Sequence, residues 1–107
     1  PKDNLGIYQS LLNYICWSFI DSSVWARGNN HEERLENSVL QVAARFKVYF
    51  KSLRESHPDK RSLTNINSFI RTTFGERNSN NMHLKASQTW SFSLFMESEF
   101  RHFHECF

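Results

Sequence analysis

A chain of 107 residues, 39% hydrophobic and 15% aromatic, is one domain's worth of sequence with an aromatic core. Three Gly and two Pro exclude a collagen-like or Pro/Gly-rich chain, two Cys are too few for a disulfide-stapled scaffold, and no apolar run of about 18 residues is present to span a membrane. Net charge is only +2 but unevenly placed: from Arg45 to Arg77, eight basic residues (Arg45, Lys47, Lys51, Arg54, Lys60, Arg61, Arg71, Arg77) face three acids (Glu55, Asp59, Glu76).

Asp3 or Asn4 is placed to cap a first helix. Leu5, Tyr8, Leu12, Ile15 and Phe19 then recur at spacings of three and four, and Leu11, Cys16, Trp17 and Ile20 widen the stripe. A helix apolar over so much of its surface packs on two sides, against its own domain or against a partner. Gly28 is the expected stop. Asn30, with Glu33 three residues on, resembles a capping box, and Glu32 adds negative charge at the positive end of the dipole. The second helix is the most regular in the chain. Leu35, Val39, Val42, Phe46, Tyr49 and Leu53 lie 4, 3, 4, 3 and 4 residues apart, which puts all six on one stripe. This helix should end near Ser56, because Pro58 biases His57 away from helical angles.

Ser62 is expected to cap a shorter third helix, with Leu63, Ile66, Phe69 or Ile70, and Phe74 inward and Gly75 at its end. Residues 76–87 are polar and Asn-rich and read as a loop of about a dozen residues. In the last segment Trp90, Phe92 and Leu94 alternate like a strand. From Phe92 onward, however, Phe92, Met96, Phe100, Phe103 and Phe107 keep helical spacing, and Glu97, Glu99 and Arg101 disfavour a strand. A helix from about Ser87 to Cys106 is expected. The fold class is therefore all-α: a four-helix bundle or irregular helical domain, with a long loop before the last helix. Pro1 in place of Met leads us to expect a single helical domain, 1–107, taken from a longer protein.

His57-Pro58-Asp59-Lys60, after a basic helix, resembles the His-Pro-Asp loop of J-domains. In that family the loop joins a basic second helix to a third and stimulates a heat-shock chaperone ATPase. The resemblance covers about Arg45 to Phe74 and implies such a partner. The family's packing residues are not reproduced. Ser52 and Ser56 stand where it carries Leu and an aromatic, and Phe69, Ile70, Thr73 and Phe74 depart from its third-helix pattern. On its own chemistry, Pro58 breaks the helix and Asp59 caps or hydrogen-bonds the turn.

His102, His104 and Cys106 are metal-ligand residue types, yet on a helix only His102 and Cys106 share a face, and the spacing matches no compact zinc pattern. No GxSxG elbow frames a Ser, and no Gly-rich loop is available for phosphates. No catalytic residue, no metal and no cofactor is therefore expected. Cys16 and Cys106 read as buried thiols of a reducing compartment, nuclear or cytoplasmic. Bridged to each other, they would suit a secreted four-helix cytokine instead.

The leading expectation is a non-catalytic protein-interaction module of a larger scaffold or assembly. It would bind a partner helix, or a second copy of itself, through surplus apolar residues of the first and last helices. Trp17, Trp25, Leu11, Ile20 and Phe95 are the candidate contacts. The alternative is a DNA- or RNA-binding domain using the basic face Arg45–Arg77. Lys47, Lys51 and Arg54 at i, i+4 and i+7 would track phosphates with Lys60, Arg61 and Arg71.

Overall fold

The computed structural model describes residues 2–56, 64–77, 79 and 81–104, with side chains from residue 9 onward. It contains α1 (Lys2–Asp21, 20 residues), α2 (His31–Ser56, 26 residues) and α3 (Ala86–Phe103, 18 residues), and no strand among the described residues. The all-α class is thus observed, with three helices among the described residues where four are expected. Gln9 meets Leu84 and Thr89 while Phe19 meets Phe103, so α1 and α3 run parallel. Arg45 meets Glu99 while Tyr49 meets Phe95, so α2 runs antiparallel to both.

The expected third helix is not formed. Residues 64–70 are irregular and 71–74 form a turn. Asn and Thr side chains there offer the backbone partners that compete with helical ones. Asn65 donates to Asn67 Oδ1 at 2.9 Å, and Thr73 Oγ1 accepts from the Ile70 N–H at 2.9 Å while the Thr73 N–H donates back to Ile70 O. The apolar residues still turn inward: Ile66 and Phe74 are buried and Phe69 packs against the core, whereas Ile70 is exposed. The described residues between 64 and 85 thus form an irregular strap in the place of a fourth helix. The expected loop after it is tied down through Met82, which is buried, and Leu84, which packs on the core. Ser62, Leu63, the His57-Pro58-Asp59-Lys60 motif, Arg61, Cys106 and Phe107 lie outside the described residues.

Helix α1 stops at Asp21, short of Gly28. Ser23 takes a left-handed φ of 55°, and the Val24 N–H reaches back to Phe19 O at 3.0 Å, a Schellman-type stop built on a serine. Gly28 serves another purpose. A Cβ there would stand 2.5 Å from the Arg34 backbone nitrogen, so glycine lets the connection pass close over the start of α2. Asn30 caps α2 as expected, its Oδ1 accepting from the Glu33 N–H at 2.8 Å. The Glu33 carboxylate takes the Asn29 amide at 3.4 Å.

Five of the six residues of the α2 stripe, all but Leu53, pack against the core as their spacing predicts. Val39, Val42 and Phe46 are buried, Leu35 and Tyr49 pack at the margin, and Phe50 joins them. Phe46 is the hub, with ring centroids 5.4–6.4 Å from Phe50, Phe69, Phe92 and Phe95. Helix α3 buries Phe92, Phe95, Met96 and Glu99, so its inward stripe is turned from the expected one and Phe100 faces out. The cause is Glu99, which accepts two hydrogen bonds from Arg45 (Nε 2.6 Å, Nη2 2.7 Å) and one from Trp25 Nε1 at 3.1 Å. Only a carboxylate held this way can sit in the core. The Glu99 hydrogen bonds also hold the Arg45 guanidinium more firmly protonated than usual.

Candidate interaction groove between the first and last helices

Three of the five candidate contact residues prove to be core. Ile20, Trp25 and Phe95 are buried by their own chain. Counting one inward stripe per helix makes them surplus, but the strap and the α1–α2 connection cover further faces. Trp25 stacks on Phe74 of the strap at 6.0 Å and packs on Phe19 at 4.9 Å. Trp17 is half-buried, with the Arg77 guanidinium 4.5 Å above its ring and Arg77 ion-paired to Asp21. Leu11 alone of the five stands out in solvent, 52% exposed.

Leu11 marks an apolar groove between α1 and α3. Its walls are Leu11, Leu12 and Ile15 on one side and Trp90, Leu94, Met96 and Phe100 on the other, with Ser93, Glu97 and Arg101 completing them. The groove encloses about 440 Å³. Trp90 is 54% exposed and Phe100 49%, and Tyr14, one turn from Leu11, is 68% exposed. These are four of the seven large apolar side chains that stand exposed among the described residues. Glu97 and Arg101 pair along α3 at 2.8 Å, so the polar component of the wall is charge-balanced.

Trp90 and Phe100 are the groove residues that sequence reading misses. Phe100 sits in the helical apolar pattern and is read as inward, whereas Trp90 is read only in the strand-like alternation with Phe92 and Leu94. The signal that would find them is Glu99: once a carboxylate is placed inward with Arg45 as its partner, the 92/95/96/99 face is fixed and residues 90, 94, 97 and 101 must line the side.

The basic face is divided. Arg45 is bound to buried Glu99, Arg71 to Glu32 at 3.2 Å and Glu36 at 3.7 Å, and Arg77 to Asp21. Lys47, Lys51 and Arg54 remain exposed on α2. They border a hollow of about 650 Å³ between α2 and the strap, floored by Phe50, Ile66 and Phe69, with Arg54 over the Phe50 ring at 5.5 Å. Lys60 and Arg61 lie outside the described residues.

Cys16 is a free, fully buried thiol, and burial pushes its pKa well above the ordinary range. Cys106, the bridge partner that the cytokine reading needs, lies outside the described residues. Among the described residues no group of three His, Cys, Asp or Glu is placed to hold a metal, and no helix is long and apolar enough to cross a membrane. No family model, curated protein or solved structure matches this chain.

Proposed function

We propose that this chain is a non-catalytic helical protein-interaction module whose contact surface is the α1/α3 groove. The observation that carries the reading is that Leu11, Trp90 and Phe100, three of the seven large apolar side chains exposed among the described residues, line one 440 Å³ groove. Large apolar side chains clustered on a surface mark contact sites, and a furrow between two helices suits the apolar face of a third. Because Ile20, Trp25 and Phe95 are core, the informative variants are Leu11→Ala and Trp90→Ala. Phage-displayed amphipathic helical peptides selected on the wild-type domain should show apolar residues at i, i+3 or i+4, and i+7. Both variants should lose those peptides while keeping wild-type helicity and melting temperature. Selection that enriches nothing, or peptides indifferent to both changes, would sink this reading.

A second reading, nucleic-acid binding, is favoured by the three unpaired cations along the α2 hollow. Lys47, Lys51 and Arg54 have no ion-pair partner among the described residues, and the hollow they border has an aromatic floor. Three phosphate contacts predict a log–log salt slope of about −2.7 on duplex DNA. Lys47→Glu with Lys51→Glu should remove most of it. Binding without a salt dependence, or none at low salt, discards this alternative.

A further inference from the structure

We propose that the occupant of the α1/α3 groove is a second copy of this chain, related to the first by a twofold axis. This rests on reading the groove as an interaction surface and specifies its partner. Three properties of the face support it.

The first is charge. A twofold contact sets a patch against itself, so a patch of one sign would repel its copy. Here the walls hold one acid and one base, Glu97 and Arg101, 2.8 Å apart on successive turns of α3. An axis passing between them lets each pair exchange partners across the contact, Glu97 of one copy with Arg101 of the other.

Helix direction is the second. Because α1 and α3 run parallel, their dipoles add, and a foreign helix could be complementary in one sense only. A twofold axis lying in the plane of the contact and perpendicular to the helices lays the second α1/α3 pair antiparallel over the first. The opposed dipoles then favour the arrangement, and the four helices close a layer that the single chain lacks.

Shape and size are the third. The same face carries both the furrow and the ridges, Leu11, Trp90 and Phe100, that could fill a copy of it. Helices of 20 and 18 residues are about 27–30 Å long, and side by side, each ~10 Å across, they present a face of roughly 600 Å². With side-chain relief this approaches the ~800 Å² per partner of a standard specific interface.

The test is molar mass in solution by light scattering, from about 1 to 100 μM. The wild type should approach twice 12.7 kDa at the upper end. Leu11→Arg and Trp90→Arg should stay at 12.7 kDa with unchanged circular dichroism. Glu97→Arg and Arg101→Glu should each weaken the dimer, and a mixture of those two variants should restore it. A wild type of 12.7 kDa at every concentration overturns the proposal. If the selected helical peptides still bind in a Leu11-dependent manner, the interaction reading survives; if they do not, both fail. A dimer indifferent to Leu11→Arg and Trp90→Arg also refutes the proposal, since the copies would then meet elsewhere.

Discussion

Asn13 is a polar residue on the buried side of α1, and its replacement tests how the strap is held. Its Nδ2 lies 2.8 Å from Phe74 O, 3.0 Å from Glu76 O and 3.1 Å from Asn81 O, with Ser79 Oγ at 3.4 Å. One amide group carries two protons, so this side chain serves as a shared donor for several acceptors of one turn. The turn is tight: Gly75 has φ +73°, and a Cβ on it would stand 2.0 Å from Asn81 O. Asn13→Ala removes two hydrogen bonds worth about 1 kcal/mol each and leaves the buried Phe74 carbonyl without this donor, for a loss of roughly 3 kcal/mol. Against a total stability of about 5–15 kcal/mol, that is a large share. Asn13→Asp is the sharper change. It keeps the shape but can place a carboxylate oxygen among backbone carbonyls, so the ionised form is disfavoured in the folded state and the aspartate pKa rises there. A carboxyl with a raised folded pKa is tolerated below its unfolded value, about 4, and costs increasing stability as pH climbs above it. Urea unfolding at pH 7 should therefore rank wild type above Asn13→Ala and Asn13→Ala above Asn13→Asp, the last gap about 1–2 kcal/mol and closing towards pH 4. Equal stability of Asn13→Asp and wild type at pH 7, or a gap that ignores pH, would refute the reasoning.

Two further expectations concern buried ionisable groups. The Arg45–Glu99 pair is asymmetric, with side-chain exposures of 36% and 4%. Arg45→Ala strands a buried carboxylate with only Trp25 Nε1 and should cost about 3 kcal/mol, whereas Glu99→Gln leaves a guanidinium that water reaches and should cost about 1 kcal/mol. Urea midpoints in the opposite order would contradict the assignment of Glu99 as the desolvated partner. At alkaline pH the folded chain keeps the Cys16 proton that the unfolded chain releases, because burial raises the thiol above its ordinary value of about 9. The unfolded state then binds fewer protons, so stability should fall by up to about 1.4 kcal/mol per pH unit above ~9. Tyr49, raised by burial and then by Glu97, pulls the same way above its ordinary value of about 10. A Cys16→Ala variant should show a shallower decline between pH 9 and 10 than the wild type; identical slopes would show that the thiol contributes nothing.

Helix α2 was legible from spacing because every residue of its stripe is apolar and nothing in the stripe competes with the helical backbone. The Asn30 cap was legible for a similar reason: its chemistry is local, within three residues. The strap was not. Ile66, Phe69 and Phe74 fit a helical period and also fit an irregular segment that turns the same residues inward, and what decides between them is the side-chain competition of Asn65, Asn67 and Thr73. The rotation of α3 was hidden for a different reason. It depends on Glu99 finding Arg45 from a position 54 residues away, and neither residue type announces burial. The site inherits both errors. Ile20, Trp25 and Phe95 are surplus only while the strap's covering surface goes uncounted, and Phe100 looks internal only while α3 is turned the wrong way. Leu11 survives because it lies beyond the edge of the face that α1 buries.

The parallel pairing of α1 with α3 also dictates when the chain can fold. Gln9 waits for Leu84 and Thr89, Asn13 for residues 74–81, and Phe19 for Phe103, sequence separations of 61 to 84 residues. During synthesis α1 emerges well before α3, and until α3 follows α2 is the only helix it can dock on. Contacts so distant along the chain slow two-state folding, so α1 should be the late partner in the transition state. Truncation anywhere before α3 would leave bare the part of α1 that α3 covers.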